Sequence, residues 1–370
     1  MKDTQYRTIE FLRFLCAALV VLRHSAGAVA LPAVGGGNSY EFIVALFTNG
    51  ITEICVPTFF LISGFLFYSK LENWDWQVHK SKLLSRAKTL LLPYISWNFI
   101  AFAALGSLLF LRTRDPQSFT NLWNENGGLQ ILWNCARRGA EAGSINLAGY
   151  TMYTGFPLNG PLWFVRDLII LAICSPLYYF LVKRLGLAWL VLTFVAYVTR
   201  VWIPYEGVGI VGVFYFSVGA YLRIKGKGLV TAFFERRIMY YISTLIMLGG
   251  VVICDLHFAE YHKYVSHLFT FLGSIACICA IASMYNHNYL RDYRLLSGAS
   301  FMIFALHGVC LLSMVGSIFG LMPIQSNWWY IFSYFAIAGV TVALCVFVDV
   351  ILKRYVPFVY GVLTGFRKKN

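Results

Sequence analysis

Apolar residues gather along this chain into long runs with short polar interruptions, and the runs are too continuous to alternate like a half-buried strand. Ten of them approach twenty residues, at 9–31, 51–69, 89–111, 161–182, 187–203, 208–224, 238–256, 264–285, 298–320 and 328–352, with Gly, Pro or charged residues between most of them. A helix rising 1.5 Å per residue needs about twenty residues to cross the hydrocarbon of a bilayer. The pattern predicts an all-α integral membrane protein, a polytopic bundle of about ten transmembrane helices forming a single domain over 1–370. One loop is long, about 112–160, and mixes Trp123, Trp133, Tyr150 and Tyr153 with Gly and Asn. That composition suits an extracytoplasmic or re-entrant segment capping a cavity, and equally an ordinary connector with interfacial aromatics.

Composition makes lipid the solvent. Of 370 residues, 59% are hydrophobic and 12% charged, against about a quarter charged in soluble domains. The first run ends in Ala28-Val29-Ala30, which imitates a signal-peptidase site. Glu10, Arg13, Arg23 and His24 interrupt what should then be an uncharged core, so the run reads as a retained helix. The net charge of +14 taken alone allows nucleic acid, an acidic membrane surface or an anionic ligand. Its distribution decides. With the N-terminus cytoplasmic, the inside connections hold most of the 30 Lys and Arg, and the outside ones hold Arg112, Arg114, Arg137, Arg138 and Lys263. This is a positive-inside pattern with both termini cytoplasmic, and it removes nucleic acid as a partner. Of nine cysteines, eight lie in apolar runs and read as packing, with Cys135 in the polar loop.

Ionisable side chains inside a span are expensive and mark sites by default. Glu10 and Arg13 are three apart and can pair on one helix face. Arg13 and His24 are eleven apart, which brings them within about 20° of one face and separates them by ~16 Å along the axis. Arginine stays charged and forks around phosphate, and histidine accepts a proton near neutral pH. The pair suits a phosphate-bearing donor whose reactive end reaches inward, as acyl-coenzyme A does. The same residues also allow a plain Glu10–Arg13 pair with His24 hydrogen-bonded between helices.

Elsewhere, Arg166 and Asp167 can grip a sugar or knit helices as an ion pair. Ser300 and His307, two turns apart, can face one cavity, and His307 is either a functional contact or an interhelical hydrogen bond. Glu53 and Arg200 are further candidates without a role, and Asp349 is expected to form a surface pair with Lys353. Asp255, His257, Glu260, His262 and His267 match no zinc spacing and read as a solvated loop, so no metal site is expected.

Several of these residues fall in motifs. Glu10-Phe-Leu-Arg13, followed by ten residues and His24, resembles the first-helix Arg-and-His motif of the acyltransferase-3 family of integral-membrane acyltransferases. Val56-Pro-Thr-Phe-Phe-Leu-Ile-Ser63-Gly64-Phe65-Leu66 resembles its aromatic-Ser-Gly-Phe second helix, and Arg86 to Pro93-Tyr94 its basic stretch before a Pro-Tyr helix start. Pro161-Leu-Trp163-Phe164 is similar to its Trp-Phe helix start, and Ser297-Gly-Ala-Ser300 to His307 to its late Ser…His helix. That late motif ordinarily ends Tyr-Leu-x-His, where this chain has Phe301 and Phe304-Ala-Leu-His307.

The resemblance implies that His24 is the catalytic base and that Arg13 holds the acyl donor, with Glu10 orienting it and Arg86 as a further donor contact. Ser63, Trp163, Arg166, Asp167, Ser300 and His307 become supporting or acceptor-side residues. It also implies acyl-coenzyme A, acetyl-coenzyme A above all, as donor substrate, with no permanently bound cofactor. The acceptor is then a glycan or lipid-linked sugar and the location a bacterial plasma (inner) membrane, with membrane lipid as a partner and self-association left open. The competing class is a transporter or flippase of a glycan or lipid-linked intermediate. It predicts internal pseudo-repeats, which the sequence does not display, and the Arg13/His24 register favours the enzyme.

Overall fold

Inside lipid a lone segment satisfies its backbone only as a helix, and each apolar run is helical in the computed structural model, which describes residues 2–27, 39–69, 75–135, 144–147, 150–153, 155–203, 205–322 and 326–366. The first half holds α1 (Lys2–Ser25), α2 (Ser39–Phe47), α3 (Cys55–Phe67), α4 (Trp76–Arg86), α5 (Leu92–Thr113) and α6 (Ser118–Glu125). After a short hairpin come α7 (Trp163–Ile173), α8 (Ser175–Leu185), α9 (Leu187–Thr199), α10 (Ile210–Ile224), α11 (Arg237–His257) and α12 (Ala259–Asn286). The chain continues through α13 (Arg294–Leu306), α14 (Leu312–Gly320), α15 (Asn327–Tyr355) and α16 (Pro357–Thr364).

The expected ten spans meet a smaller number. Among the described residues six stretches are long and apolar enough to cross a membrane: Ser39–Phe67, Trp76–Thr113, Phe234–His257, Ala259–Asn286, Leu295–Gly320 and Asn327–Tyr355. Gly160–Ile173 with Ser175–Leu185 makes a seventh if it is one span, bent by 67°. Pro176, in the first turn beyond the bend, has no N–H to continue the ladder. The other runs fall short for two reasons. With 13 and 15 residues, α9 and α10 reach only ~20 Å, and Glu10, Arg13 and Arg23 interrupt α1. The protein is a multi-pass membrane protein of all-α class.

The described residues of the loop over 112–160 form regular structure. They contain α6, the tight turn Gly128–Leu132 and a two-stranded antiparallel hairpin, Ser144–Leu147 against Tyr150–Tyr153, with Ser144 opposite Tyr153. Residues 136–143, with Arg137 and Arg138, lie outside the described residues, as does the Ala28-Val29-Ala30 imitation of a cleavage site.

Two crossings set the core. At the first, α3 meets α10 backbone to backbone: a Cβ added to Gly64 would lie 2.1 Å from the Phe216 carbonyl oxygen, and one on Gly219 would lie 2.1 Å from that of Leu61. Only glycine permits this approach. At the second, α1 sits centrally, packed on α3, α12, α13 and α15 through a buried stripe of Ile9, Leu12, Cys16, Ala17, Val20 and Val21. Outward faces of α9 and α11 remain apolar and exposed, for example Val191, Val195, Ile242 and Ile246, as lipid-facing surfaces should be.

Three smaller expectations change. Asp349 is buried, not at the surface, and lies against Tyr360. Cys135 is buried too, its thiol against Asn126 Oδ1. The region around Asp255 is no loop: α11 and α12 are joined by Phe258 alone, and Asp255 accepts from Asn49 Nδ2 at 2.9 Å and faces His262 at 3.5 Å.

Candidate active site

Burying an arginine is tolerable only where water or an anion can reach it, and two arginines meet in one cavity. A cavity of about 410 Å³ lies where α1, α3, α4, α7 and α13 converge. Arg13 comes from α1, Ser63 from the α3 face opposite Gly64, Arg86 and Lys82 from α4, and Ser300 from α13. Four of the residues expected from sequence, Arg13, Ser63, Arg86 and Ser300, are thereby brought together from distant parts of the chain. Arg13 and Arg86 are near enough to repel one another, and neither forms an ion pair within 4 Å among the described residues. Lys82 is committed differently, donating to the Phe67 carbonyl and, at 3.0 Å, to that of Ser69. Lys82 thereby closes the end of α3.

Glu10 is not part of this group. It is exposed, does not line the cavity and makes no ion pair within 4 Å of Arg13 among the described residues. The i,i+3 offset leaves Glu10 near enough for its charge to act on Arg13, but only Arg13 lines the cavity.

Three phenylalanines close the far end. Phe59, Phe164 and Phe304 line the cavity with ring centroids 5.3, 5.6 and 5.9 Å apart. Behind this wall stands His307, its ring 6.2 Å from Phe304. His307 is 2% exposed, and His24 stacks on it at 5.5 Å with the planes 30° apart. His24 itself is exposed at the far end of α1. Arg13 and His24 are indeed carried by one continuous helix, yet the aromatic wall stands between the Arg13 cavity and the histidine pair. Next to His24, Arg23 donates to Glu53 Oε1 at 2.6 Å and to the Thr48 carbonyl at 2.8 Å, which gives Glu53 a partner.

Arg166 and Asp167 stand apart and are fully employed. Both are 5% exposed. Arg166 donates to Asp167 Oδ1 at 3.0 Å and to the carbonyls of Trp133 and Gly155 at 2.7 and 3.0 Å, while the Gly207 N–H donates to Asp167 Oδ1 at 3.0 Å. Of the two readings, the ion pair that ties segments together is the one the geometry supports. Trp163 lies near Phe60 and Phe156 and does not line the cavity.

With this geometry in hand, comparison with known families is decisive. The family model described as an acyltransferase domain, acyltransferase-3, matches residues 6–350. The chain belongs to the acyltransferase-3 family. The match takes in both the Arg13 cavity and the histidine pair. Among curated proteins, the chain is 26% identical over 155 residues to the succinoglycan biosynthesis protein ExoH of Rhizobium meliloti (strain 1021), a stretch that is 41% of this chain and 36% of the relative. The chain thus spans about a third of the length of the curated relative it matches. No solved structure matches.

Two features of this candidate site are not legible in the sequence. The Phe wall was hidden because phenylalanine is common here, 31 residues. Asn159 was overlooked as a loop residue before Gly160-Pro161. It is fully buried and donates to the Ala305 carbonyl, two residues before His307. A polar amide abutting an apolar helix start was the available signal.

Proposed function

We propose that this protein transfers an acyl group, acetyl by preference, from acyl-coenzyme A to a hydroxyl of a glycan or lipid-linked sugar. One observation carries the reading: Arg13 and Arg86, drawn from separate helices, share one cavity without an ion pair among the described residues. Two guanidinium groups so placed repel until an anion joins them, and phosphate is the anion their planar forks fit.

In this reading the donor's phosphates enter on the Arg13 and Arg86 side, cytoplasmic by the positive-inside pattern of a bacterial plasma membrane. The donor's thin arm passes the Phe59–Phe164–Phe304 wall as the rings turn, and the thioester reaches His24. His24 takes the proton of the acceptor hydroxyl, and the oxygen attacks the thioester carbonyl. As the C–S bond breaks, the departing thiolate recovers that proton from His24. Ser63 and Ser300 supply hydrogen bonds along the donor path. A glycan acceptor draws support from a relative whose name assigns it to succinoglycan biosynthesis.

The test uses purified protein in lipid with labelled acetyl-coenzyme A and a panel of candidate glycans. His24→Ala is expected to lower turnover by ~10²–10⁴-fold with donor binding retained. Transfer by a folded His24→Ala variant at the wild-type rate would remove His24 from the chemistry.

A further inference from the structure

The helix that bears His307 breaks just beyond it. Val309 adopts φ −90°, ψ 63° and Cys310 φ 62°, both outside helical geometry. Gly308, between them and His307, abuts Asn159 so closely that a Cβ there would lie 2.3 Å from Asn159 Oδ1. A widened turn of this kind inside a helix recurs at functional sites.

Two buried acceptors are stranded at the break. The Ile303 carbonyl can only accept, so His307 Nδ1, 2.9 Å from it, carries hydrogen, and in the neutral ring Nε2 keeps a lone pair. That Nε2 is buried without a partner. Asn159 engages its donors: its backbone N–H donates to Asn98 Oδ1 and its Nδ2 to the Ala305 carbonyl, each at 3.0 Å. Its Oδ1 is likewise buried without a partner. Native interiors seldom leave such groups unmet. Both lack the same thing, a hydrogen-bond donor, and His307 lies against the exposed ring of His24.

We propose that His307 Nε2 and Asn159 Oδ1 are the docking points of the acceptor, which donates one hydroxyl to each and so presents a neighbouring hydroxyl to His24. The inference rests on the acyl-transfer reading and specifies its acceptor class: a neutral polyol such as a pyranoside, rather than an alcohol with a single hydroxyl. Two lone pairs repel a carboxylate or phosphate, so an anionic group does not occupy this position.

The experiment uses the full chain in nanodiscs, with a panel of methyl pyranosides and n-butanol as probes and acetyl-coenzyme A as donor. Binding is read by saturation-transfer NMR and transfer by product formation. His307→Phe retains a stacked ring of similar size but removes Nε2, and Gly308→Ala displaces Asn159 Oδ1 without altering His307. Each variant is expected to weaken pyranoside binding, and to raise the pyranoside KM, at least tenfold while the acetyl-coenzyme A KM stays within twofold. Preference for pyranoside over butanol is expected to collapse in both. Wild-type pyranoside binding in both variants, no pyranoside binding by the wild type, or an equal loss of donor and acceptor binding would overturn the proposal. Pyranoside binding that depends on His307 in a wild type that transfers no acetyl would uphold the subsite and refute the transferase reading.

Discussion

Arg13 and Arg86 differ from every other basic side chain described in the cavity region because neither is committed to a carbonyl or carboxylate among the described residues. Their contribution should therefore show as donor affinity. Arg13→Ala is expected to raise the KM for acetyl-coenzyme A by ~10–100-fold, equivalent to ~1.5–3 kcal/mol for a charged hydrogen bond. Arg13→Lys, which keeps the charge but loses the fork, should recover only part of that in the same steady-state assay. Arg13, Ser63 and Ser300 were legible in the sequence because a charge or a motif serine inside an apolar run has few innocent explanations, and Arg86, which precedes its run, through the resemblance of the stretch leading to Pro93-Tyr94. For Glu10, spacing reports the face it shares with Arg13, on which its charge acts, but not that only Arg13 lines the cavity. Asn159 and the phenylalanine wall were illegible because their role arises only when the α7 start packs on α13. Of the sequence motifs, Ser63-Gly64-Phe65 divides its labour: Ser63 faces the cavity and Gly64 admits α10.

Helix packing gives these assignments their rigidity. At the α3–α10 crossing, Gly64→Ala introduces a methyl group 2.1 Å from a carbonyl oxygen, an overpacking expected to cost ~1–3 kcal/mol. The thermal midpoint in detergent should fall, whereas Gly298→Ala, which meets nothing within 4 Å, should leave it unchanged or raised. The Arg166–Asp167 clamp fastens Trp133 and Gly155 of the 112–160 loop to the start of α7. Arg166→Ala strands a buried carboxylate, which costs ~3–5 kcal/mol where a buried pair is broken. Faster proteolysis within that loop, with an unchanged donor KM, is the expected readout. Helix identity was readable from hydropathy throughout the chain, but helix length was not. The runs at 187–203 and 208–224 continue apolar past Thr199 and start before Ile210, while the backbone turns at Arg200, φ 61°, and enters α10 only after Gly209.

Across the whole molecule Phe304 links the two parts of the site, lining the cavity on one side and meeting His307 on the other. Phe304→Ala thins the phenylalanine wall, and a longer acyl chain gains room where the thioester must sit. The ratio of butyryl to acetyl transfer should rise about tenfold, since one or two methylenes are worth ~1–3 kcal/mol in a fitted pocket; an unchanged ratio would mean that the acyl group does not pass Phe304. Topology was readable as a multi-pass bundle. The bent α7–α8 pair and the short α9 and α10 were not, because a hydropathy run carries no information about where its axis turns.

Because α1 alone carries both Arg13 and His24, it acts as a gauge. The distance between the anion grip and the reacting atom is fixed by eleven residues of one continuous helix and by no hinge. One alanine inserted between Ala17 and Ala18 would swing His24 by ~100° relative to Arg13, whereas four would restore the face and lengthen the interval by ~6 Å. Under the proposed function, a protein of this design measures its donor. Short activated acids, such as an acyl phosphate, can satisfy one end of the helix or the other, but not both.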